Sequence, residues 1–234
     1  MIYVVGHRGA AGVLPENTLK GFRHAIELGV QYVECDVHLT RDERLVVMHD
    51  TTVDRTTNGS GAIRSLDFAA IRALDAGDGE QVPTLDEVLA MVQGKVKLLC
   101  ELKGEGVENA AVDAVVKRGM AADVVFTSFH LDRIARVKER GSCLKIGAIF
   151  SKPTDDDIAR SLDIGVVGVG IQYKSLCLRM VEQVLGAGVD LRAWNPDTLR
   201  EQRAMMALGV SGVSTNRPDI LMTYLRSRET ERES

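Results

Sequence analysis

The chain has 234 residues, of which 29 are Lys or Arg and 33 are Asp or Glu, so its net charge is −4 and its pI is near 5.8. With 45% hydrophobic and 26% charged residues it has a globular composition, which excludes a disordered chain, a collagen-like repeat and a disulfide-stapled miniprotein. The mildly acidic balance argues against a nucleic-acid-binding protein, which usually carries a basic face. A single domain over residues 1–234 can bury a full core without a structural metal.

The sequence shows no feature of a membrane-inserted or secreted protein. No run approaches the about 18 apolar residues that a membrane span needs, and no basic segment followed by a long apolar one opens the chain. The cysteines Cys35, Cys100, Cys143 and Cys177 show no C-x-x-C pairing, and we interpret all of them as buried free thiols. Cys35 and Cys100 are predicted to pack outward from their strands, toward helices. We therefore expect a cytoplasmic protein.

Short β-branched runs alternate with helical periodicity along the whole chain. The predicted strands cover 2–6, 32–37, 96–102, 124–129, 145–150, 166–171, 191–194 and 210–215. The predicted helices cover 18–28, 84–92, 107–117, 131–140, 154–162, 175–185, 197–208 and 218–226, and the charged end at 226–234 is expected to be frayed. This alternation predicts a closed (β/α)8 TIM barrel rather than an open doubly wound sheet, since no G-x-G-x-x-G motif opens the first helix.

One interval is too long for an ordinary loop between a strand and a helix. Residues 40–83 separate the second strand from the next predicted helix. They contain a predicted hairpin strand at 45–49 and a polar run with glycines at 51–61. Because active sites of this fold lie at the carboxyl ends of the strands, we predict that this stretch is an insertion over that face of the barrel.

Charged side chains occupy strand positions that are normally apolar. Glu34 and Asp36 are two residues apart, as are Glu101 and Lys103, so each pair points to one face of its strand. All of them lie near the carboxyl ends of predicted strands, which meet at the mouth of a barrel. Three carboxylates in one place need a cation, and oxygen ligands favour Mg²⁺ or Ca²⁺, with Mn²⁺ as a further candidate.

Histidines lie near the same strand ends. His7 and Arg8 end the first strand, and His49 follows the hairpin strand. His38 has the same strand parity as the two acids of its strand, so a zinc site with mixed ligands is an alternative. Zinc prefers His and Cys ligands, and we expect His38 to be a solvent-facing hairpin residue instead.

Ordered motifs run through nearly the whole chain. They are His7-Arg8-Gly9, Pro15-Glu16-Asn17-Thr18, Glu34-x-Asp36-Val37, His49-Asp50, Asp54-Arg55-Thr56-Thr57-Asn58-Gly59, Pro83-Thr84-Leu85, Glu101-Leu102-Lys103, Thr127-Ser128-Phe129 and Asn216-Arg217-Pro218-Asp219. Together they resemble the glycerophosphodiester phosphodiesterase family. The resemblance implies a TIM barrel that uses a divalent metal to hydrolyse glycerophosphodiesters, which are small molecules, to glycerol 3-phosphate and an alcohol.

The resemblance also implies roles for particular residues. Glu34, Asp36 and Glu101 would bind the metal. His7 and His49 would act as general acid and base.

The remaining site candidates would contact the substrate. Arg8 and Lys103 are implied to hold the phosphate. Glu16 and Trp194 are further candidates for substrate binding, with core packing as the alternative for Trp194.

Two positions depart from the pattern of the family. Trp194 is followed by Asn195-Pro196-Asp197 in place of Thr-Val-Asn, and Asn216 replaces an acid. We expect neither departure to touch the catalytic residues, although both lie at the mouth of the barrel.

Other functions remain as alternatives at this point. One is a phospholipase D-like or inositol-lipid phosphodiesterase on the same barrel. Another is a barrel that binds phosphoesters without cleaving them, and a third is a metal-dependent aldolase or lyase. The sequence leaves the assembly state open, with a homo-oligomer among the alternatives.

Overall fold

The computed structural model describes residues 2–233, which form one barrel surrounded by helices. The strands are β1 (Tyr3–Gly6), β2 (Tyr32–Leu39), β3 (Leu45–Val47), β4 (Lys97–Leu102), β5 (Val124–Ser128), β6 (Lys145–Phe150), β7 (Gly168–Gln172), β8 (Asp190–Trp194) and β9 (Gly212–Thr215). The helices are α1 (Leu19–Glu27), α2 (Phe68–Arg72), α3 (Leu85–Val92), α4 (Val107–Lys117), α5 (Leu131–Glu139), α6 (Asp155–Asp163), α7 (Leu178–Gly186), α8 (Leu199–Leu208) and α9 (Pro218–Glu233). Two short 3₁₀ helices cover Ile63–Ser65 and Tyr173–Ser175.

The sheet closes on itself through β1. On one side β1 pairs in parallel with β9, where Val4 faces Val213, and on the other side it pairs in parallel with β2, where Val5 faces Tyr32. The strands β4 to β9 complete the parallel ring, and β3 adds to β2 in the antiparallel direction. The predicted TIM barrel is confirmed and the open sheet is wrong, because every strand of the parallel ring has a neighbour on both sides, whereas an open sheet has two edge strands.

The predicted strands and helices are all present, and β6 and α4 have the predicted bounds. Several predicted helix starts are N-cap residues: Thr18 and Thr84 each accept a hydrogen bond from a backbone N–H of the first turn. The short helix α2 was not predicted. None of the helices in the described part of the chain is both long enough and apolar enough to cross a membrane.

The expectation of a frayed end is wrong for the described residues, because α9 continues to Glu233. The residues of this end are mainly Arg and Glu, which are good helix formers. Arg226 also donates a hydrogen bond from Nη2 to the carbonyl oxygen of Leu28 over 2.7 Å, which ties the helix to the end of α1. Ser234 lies outside the described residues.

The main hydrophobic core lies between the barrel strands and the helices. Cys35 and Cys100 are fully buried in it, on the strand face opposite the acidic residues, as predicted. Cys143 and Cys177 are exposed, so the prediction of buried thiols is wrong for these two. Both lie outside strands, since Cys143 follows α5 and Cys177 precedes α7.

Residues 40–83 have a small hydrophobic cluster of their own. Its buried members are Val46, Met48, Val53, Ile63, Ile71, Ala76 and Val82. The hairpin strand β3 pairs with the end of β2, and beyond it the backbone N–H of Met48 donates to the carbonyl oxygen of Asp36 over 2.9 Å. This bond holds the next residue, His49, beside the carboxyl end of β2.

Candidate active site

Three acidic side chains meet inside the barrel near the carboxyl ends of β2 and β4. Asp36 and Glu101 are register partners on these neighbouring strands, and Glu34 lies two residues earlier on β2. One oxygen atom of each carboxylate lies within 4.8 Å of the others. The exposed fraction is 0% for Asp36, 3% for Glu34 and 7% for Glu101. The structure thus brings together the three acids that the sequence places on the inner face at the carboxyl ends of two strands.

Burial governs the protonation of these acids. Removal from water raises the pKa of Glu34 and of Glu101, although Arg8 opposes the first shift and Lys103 the second. For Asp36, burial and the neighbouring charges of Glu34 and Glu101 raise the pKa to about 7. Buried anions at this separation repel one another, so the cluster retains protons unless more positive charge is supplied.

The oxygen atoms of the cluster fit a divalent cation. Glu34 Oε1 and Asp36 Oδ1 are buried and have no hydrogen-bond partner among the described residues. Carboxylate oxygens without sulfur or imidazole suit Mg²⁺, Ca²⁺ or Mn²⁺ better than zinc. The residues present therefore agree with the metal class expected from the sequence.

His38 does not join this cluster. It is 5% exposed, and its Nε2 lies 3.2 Å from the backbone carbonyl oxygen of His49. Since a carbonyl oxygen only accepts, Nε2 of His38 is the donor in this bond. The prediction that His38 faces solvent is wrong, because β2 continues to Leu39 beneath the segment that carries His49. The alternative of a zinc site gains no support.

Asn17 is a partner of the acids that the sequence analysis missed. Its Nδ2 donates to Asp36 Oδ2 over 2.9 Å, and the side chain is 3% exposed. Asn17 has φ 57°, a left-handed conformation that Asn adopts more readily than most residues. Its place in the motif just before α1 was the available signal.

Two cations face the acidic cluster. Lys103 Nζ lies 2.8 Å from Glu101 Oε1 and 3.9 Å from Asp36 Oδ1. The backbone N–H of Arg8 donates to Glu34 Oε2 over 2.9 Å, and Arg8 Nε lies 3.3 Å from Asp36 Oδ2. Positive charge is therefore placed on two sides of the carboxylates.

The turn that presents Arg8 requires Gly9. Arg8 has φ 49° and Gly9 has φ 84°. A Cβ atom on Gly9 would lie 2.6 Å from the carbonyl carbon of Gly21, so a side chain there would collide with the backbone of α1. Glycine at this position lets α1 approach the turn closely.

His7 is held by a chain of hydrogen bonds. Its Nδ1 lies 2.6 Å from Asn216 Oδ1, and Asn216 Nδ2 donates to Asp197 Oδ2 over 2.7 Å. Because a carboxylate only accepts, Asn216 presents its oxygen to His7, and His7 Nδ1 carries the hydrogen. Burial and the charge of Arg8 lower the pKa of His7 to about 4, so the ring is neutral near pH 7. Its Nε2 lies 3.8 Å from Glu34 Oε2.

The expectation that the two departures from the family pattern do not touch the candidate catalytic residues is wrong. Asn216 contacts His7 directly, as described above, and Asn195 Nδ2 lies 3.4 Å from His7 Nε2. The ends of β1, β8 and β9 are adjacent in the closed ring, which places these amides on the imidazole.

His49 is held by its neighbour in the chain. Its Nδ1 lies 2.7 Å from Asp50 Oδ1. Burial lowers the pKa of His49, although Asp36 and Asp50 oppose the shift. His49 is thus the second neutral imidazole at the carboxyl ends of the strands.

A cavity of 170 Å³ lies among these groups. It is lined by His7, Arg8, Glu34, His49, Glu101, Lys103, Phe129, Ile149, Arg192, Trp194, Asn195 and Ser214. The rings of Trp194 and Phe129 meet edge to face with centroids 5.7 Å apart, and Lys103 Nζ lies 5.4 Å from the centroid of Phe129. The cavity therefore has a charged side and an apolar side, and we call it the catalytic cavity after the role predicted for its residues. Arg192 is a further lining residue that the sequence analysis missed.

Glu16 lies behind this wall rather than in it. Its Oε1 accepts hydrogen bonds from Arg8 Nη1 over 2.9 Å and from Arg55 Nη2 over 2.7 Å. Arg55 also donates from Nε to Asp50 Oδ2 over 2.7 Å, so it links residues 40–83 to the loop after β1. Arg55 was part of a motif but received no role from the sequence. The contacts of Glu16 orient Arg8, and substrate contact by Glu16 stays a prediction.

A model of the glycerophosphoryl diester phosphodiesterase family matches residues 7–220. The chain belongs to this family. The resemblance stated from the motifs is confirmed, and so is the prediction of an enzyme of the phosphodiesterase class. The alternative functions raised from the sequence gain no support from this match.

Relatives resemble the chain over nearly its whole length. A glycerophosphodiester phosphodiesterase of Caldanaerobacter subterraneus subsp. tengcongensis is 33% identical over 95% of this chain and 97% of the relative. A phosphodiesterase of Oleispira antarctica, solved in complex with the product sn-glycerol-3-phosphate, is 27% identical with a TM-score of 0.89, and the match covers 96% of each chain. A glycerophosphodiester phosphodiesterase of Agrobacterium tumefaciens is 27% identical with a TM-score of 0.82 over 95% of this chain and 100% of that one.

Proposed function

We propose that this protein is a metal-dependent phosphodiesterase that hydrolyses glycerophosphodiesters to glycerol 3-phosphate and an alcohol. The observation that carries the proposal is the catalytic cavity, which is lined by two neutral histidines, three cations and two acids, with Asp36 clustered beside those acids. Proteins similar to the chain over nearly its whole length are glycerophosphodiester phosphodiesterases. The product found in the Oleispira antarctica structure is the one expected here.

Glu34, Asp36 and Glu101 would hold the divalent cation. When bound, the cation supplies a Lewis acid that polarises a phosphate oxygen and lowers the pKa of a hydroxyl group. Binding of the cation would also favour ionisation of the three acids, because its positive charge offsets the burial that otherwise raises their pKa values.

Arg8 and Lys103 would hold the phosphate. A phosphodiester is a monoanion, and its oxygens gain charge as the ester bond breaks. Arg8 engages Glu16 through Nη1 and keeps further N–H donors for phosphate oxygens. Lys103 adds a compact charge beside Glu101, close to the apolar wall formed by Phe129.

His7 and His49 would move the protons. His7 is neutral, is mostly buried and keeps a lone pair on Nε2, which suits a general base. His49 has Asp50 beside Nδ1, and this carboxylate would stabilise the ring once Nε2 has taken up a proton, which is the form that acts as general acid. Each proton transfer of this kind contributes about 10²–10⁴ in rate.

The assay of choice is the release of glycerol 3-phosphate from glycerophosphocholine by the purified protein with Mg²⁺, Ca²⁺ or Mn²⁺. We expect turnover with at least one of these ions. His7→Ala and His49→Ala should each lower kcat by at least about 10²-fold with unchanged thermal stability. His130→Ala, at an exposed position, is the matched control and should retain full activity. No glycerol 3-phosphate under any of these conditions would overturn the proposal.

The nucleophile is either the glycerol 2-hydroxyl, which gives a cyclic phosphate that water then opens, or water itself. A diester without the 2-hydroxyl separates the two routes. On the cyclic route it should bind and inhibit competitively but turn over very slowly, since a well-oriented neighbouring group contributes roughly 7–11 kcal/mol. Cleavage within a few-fold of the normal rate would leave direct attack by water as the route.

A further inference from the structure

The inner wall of the barrel is unusual on one side. TIM barrels usually fill their interior with branched apolar side chains. Here the inward positions of β6, β7 and β9 include Gly147, Gly168, Gly170 and Gly212. Arg192, on β8 between β7 and β9, takes part of this space, with Nη2 only 2.9 Å from the place where a Cβ of Gly170 would be. An arginine thus occupies the middle of the barrel.

The rest of the space is a second cavity of 260 Å³, which we call the lower cavity. It reaches the amino ends of the strands, because its wall includes Lys97, Lys145 and Asp190, the first residues of β4, β6 and β8. Thr127 and Arg192 lie further along β5 and β8 and form its inner end. Arg192 separates this space from the catalytic cavity, since it lines both.

Two buried polar groups at the inner end are unsatisfied. Arg192 is 7% exposed, and its Nε has no hydrogen-bond partner within the described part of the chain. Thr127 is 3% exposed, and its Oγ1 is likewise without a partner there. A buried charged donor without a partner is costly, and a buried hydroxyl without one adds to the cost. Both residues line the lower cavity, and both side chains carry hydrogen-bond donors.

The charges at the outer end do not satisfy Arg192. Asp123 and Asp190 line the lower cavity at the amino ends of the strands, together with Lys97 and Lys145. Lys145 Nζ donates to the carbonyl oxygen of Ala122 over 2.6 Å. Among the charged residues that line the lower cavity, the two carboxylates are matched by these two lysines, and the guanidinium of Arg192, which also lines the catalytic cavity, leaves one net positive charge.

We propose that the lower cavity is a binding site for a small oxyanion, either inorganic phosphate or the phosphate group of a small phosphomonoester. Arg192 and Thr127 donate to its oxygens. The lysines at the amino ends of the strands favour its entry. The site is separate from the catalytic cavity and does not depend on the proposed hydrolysis, although Arg192 is shared by the two cavities.

The first test locates the anion. Crystals of the full chain soaked in selenate should show an anomalous peak within hydrogen-bond distance, about 3 Å, of Arg192 and of Thr127 Oγ1. A peak in the catalytic cavity alone, or no peak, overturns the proposal.

The second test measures binding of inorganic phosphate by calorimetry in the presence of a chelator. Thr127→Val keeps the shape of the side chain and should weaken phosphate binding at least about 5-fold. Gly168→Val should abolish it by filling the cavity, and it should fold, since a Cβ there lies 3.6 Å from its nearest neighbour, the carbonyl oxygen of Asp190. Arg192→Met should also abolish binding, and the other two variants decide the matter if this one does not fold.

Lys103→Met is the matched control, because Lys103 lines the catalytic cavity and not the lower one. Phosphate held in the lower cavity should bind this variant with unchanged affinity. Loss of binding in Lys103→Met together with normal binding in Thr127→Val and Gly168→Val would place the anion in the catalytic cavity and refute the proposal. Hydrolysis of glycerophosphocholine, measured on the same samples, reports on the proposed function separately.

Discussion

His49 Nδ1 and Asp50 Oδ1 lie 2.7 Å apart, so one of the two cavity histidines is oriented by the next residue in the chain. Arg55 donates from Nε to Asp50 Oδ2 over 2.7 Å, and this bond, together with His49, holds the pKa of Asp50 far below its ordinary value. An ionised carboxylate only accepts hydrogen bonds. His49 therefore carries its hydrogen on Nδ1 and keeps the lone pair on Nε2.

Asp50→Asn should lower kcat by about 10- to 100-fold and change KM little, because an amide can donate to Nδ1 and so favour the wrong tautomer. Steady-state kinetics on glycerophosphocholine would measure the effect. Asp54→Asn, an exposed acid of the same segment, is the control and should behave like the wild type. Equal activity of both variants would show that Asp50 does not position His49.

The chain from His7 through Asn216 to Asp197 predicts coupled effects. Asn216→Ala and Asp197→Asn should each lower kcat about 10-fold, since either change frees His7 to rotate. Because both act through one imidazole, the double variant should be little worse than either single variant. Kinetic constants for the four proteins of this cycle test the coupling, and multiplicative losses would mean that the two residues act independently.

Metal removal should separate activity from folding. Exhaustive chelation should abolish hydrolysis, and Mg²⁺, Mn²⁺ or Ca²⁺ should restore it. The circular dichroism spectrum should stay that of the folded barrel, because the hydrophobic core does not include the metal site. Added ion should raise the melting temperature by mass action. Asp36→Asn should weaken both the recovery of activity by added ion and the rise in melting temperature. Full activity with no metal detectable by elemental analysis would refute the site.

The raised pKa of Asp36 predicts a pH dependence of stability in the chelated protein. In the unfolded chain Asp36 ionises near its ordinary pKa of 3.8, whereas in the folded barrel burial and the neighbouring acids shift the pKa to about 7. Between these values the folded state binds more protons than the unfolded state, so this group makes folding less favourable as the pH rises.

Asp36→Asn lacks this titration and is the reference. The free energy of unfolding of the wild type, measured with urea, should therefore fall relative to that of Asp36→Asn as the pH rises from about 4 to about 7, and the difference should level off above that range. A difference that is constant with pH would show that Asp36 ionises normally in the folded chain.

Local pattern was sufficient for the architecture and for part of the site. Alternation of strand and helix predicts a parallel barrel because each crossover helix must pack back on the sheet. Spacing of two residues put Glu34 and Asp36 on one face of β2, and the same rule put Cys35 on the other, since a strand reverses its side chains at every residue. These inferences hold because they depend on neighbours in the chain.

Contacts between distant strand ends were decided by the tertiary structure alone. The sequence predicts that His38 faces solvent. In the structure the segment after β3 is hydrogen-bonded to β2, so the backbone of His49 lies over His38, and the side chain of His49 lines the cavity instead. Asn216 reaches His7 across the closure of the ring, between residues 209 positions apart. Sequence parity says which face a side chain takes, but only the register between strands and the closure of the barrel determine which side chains meet there.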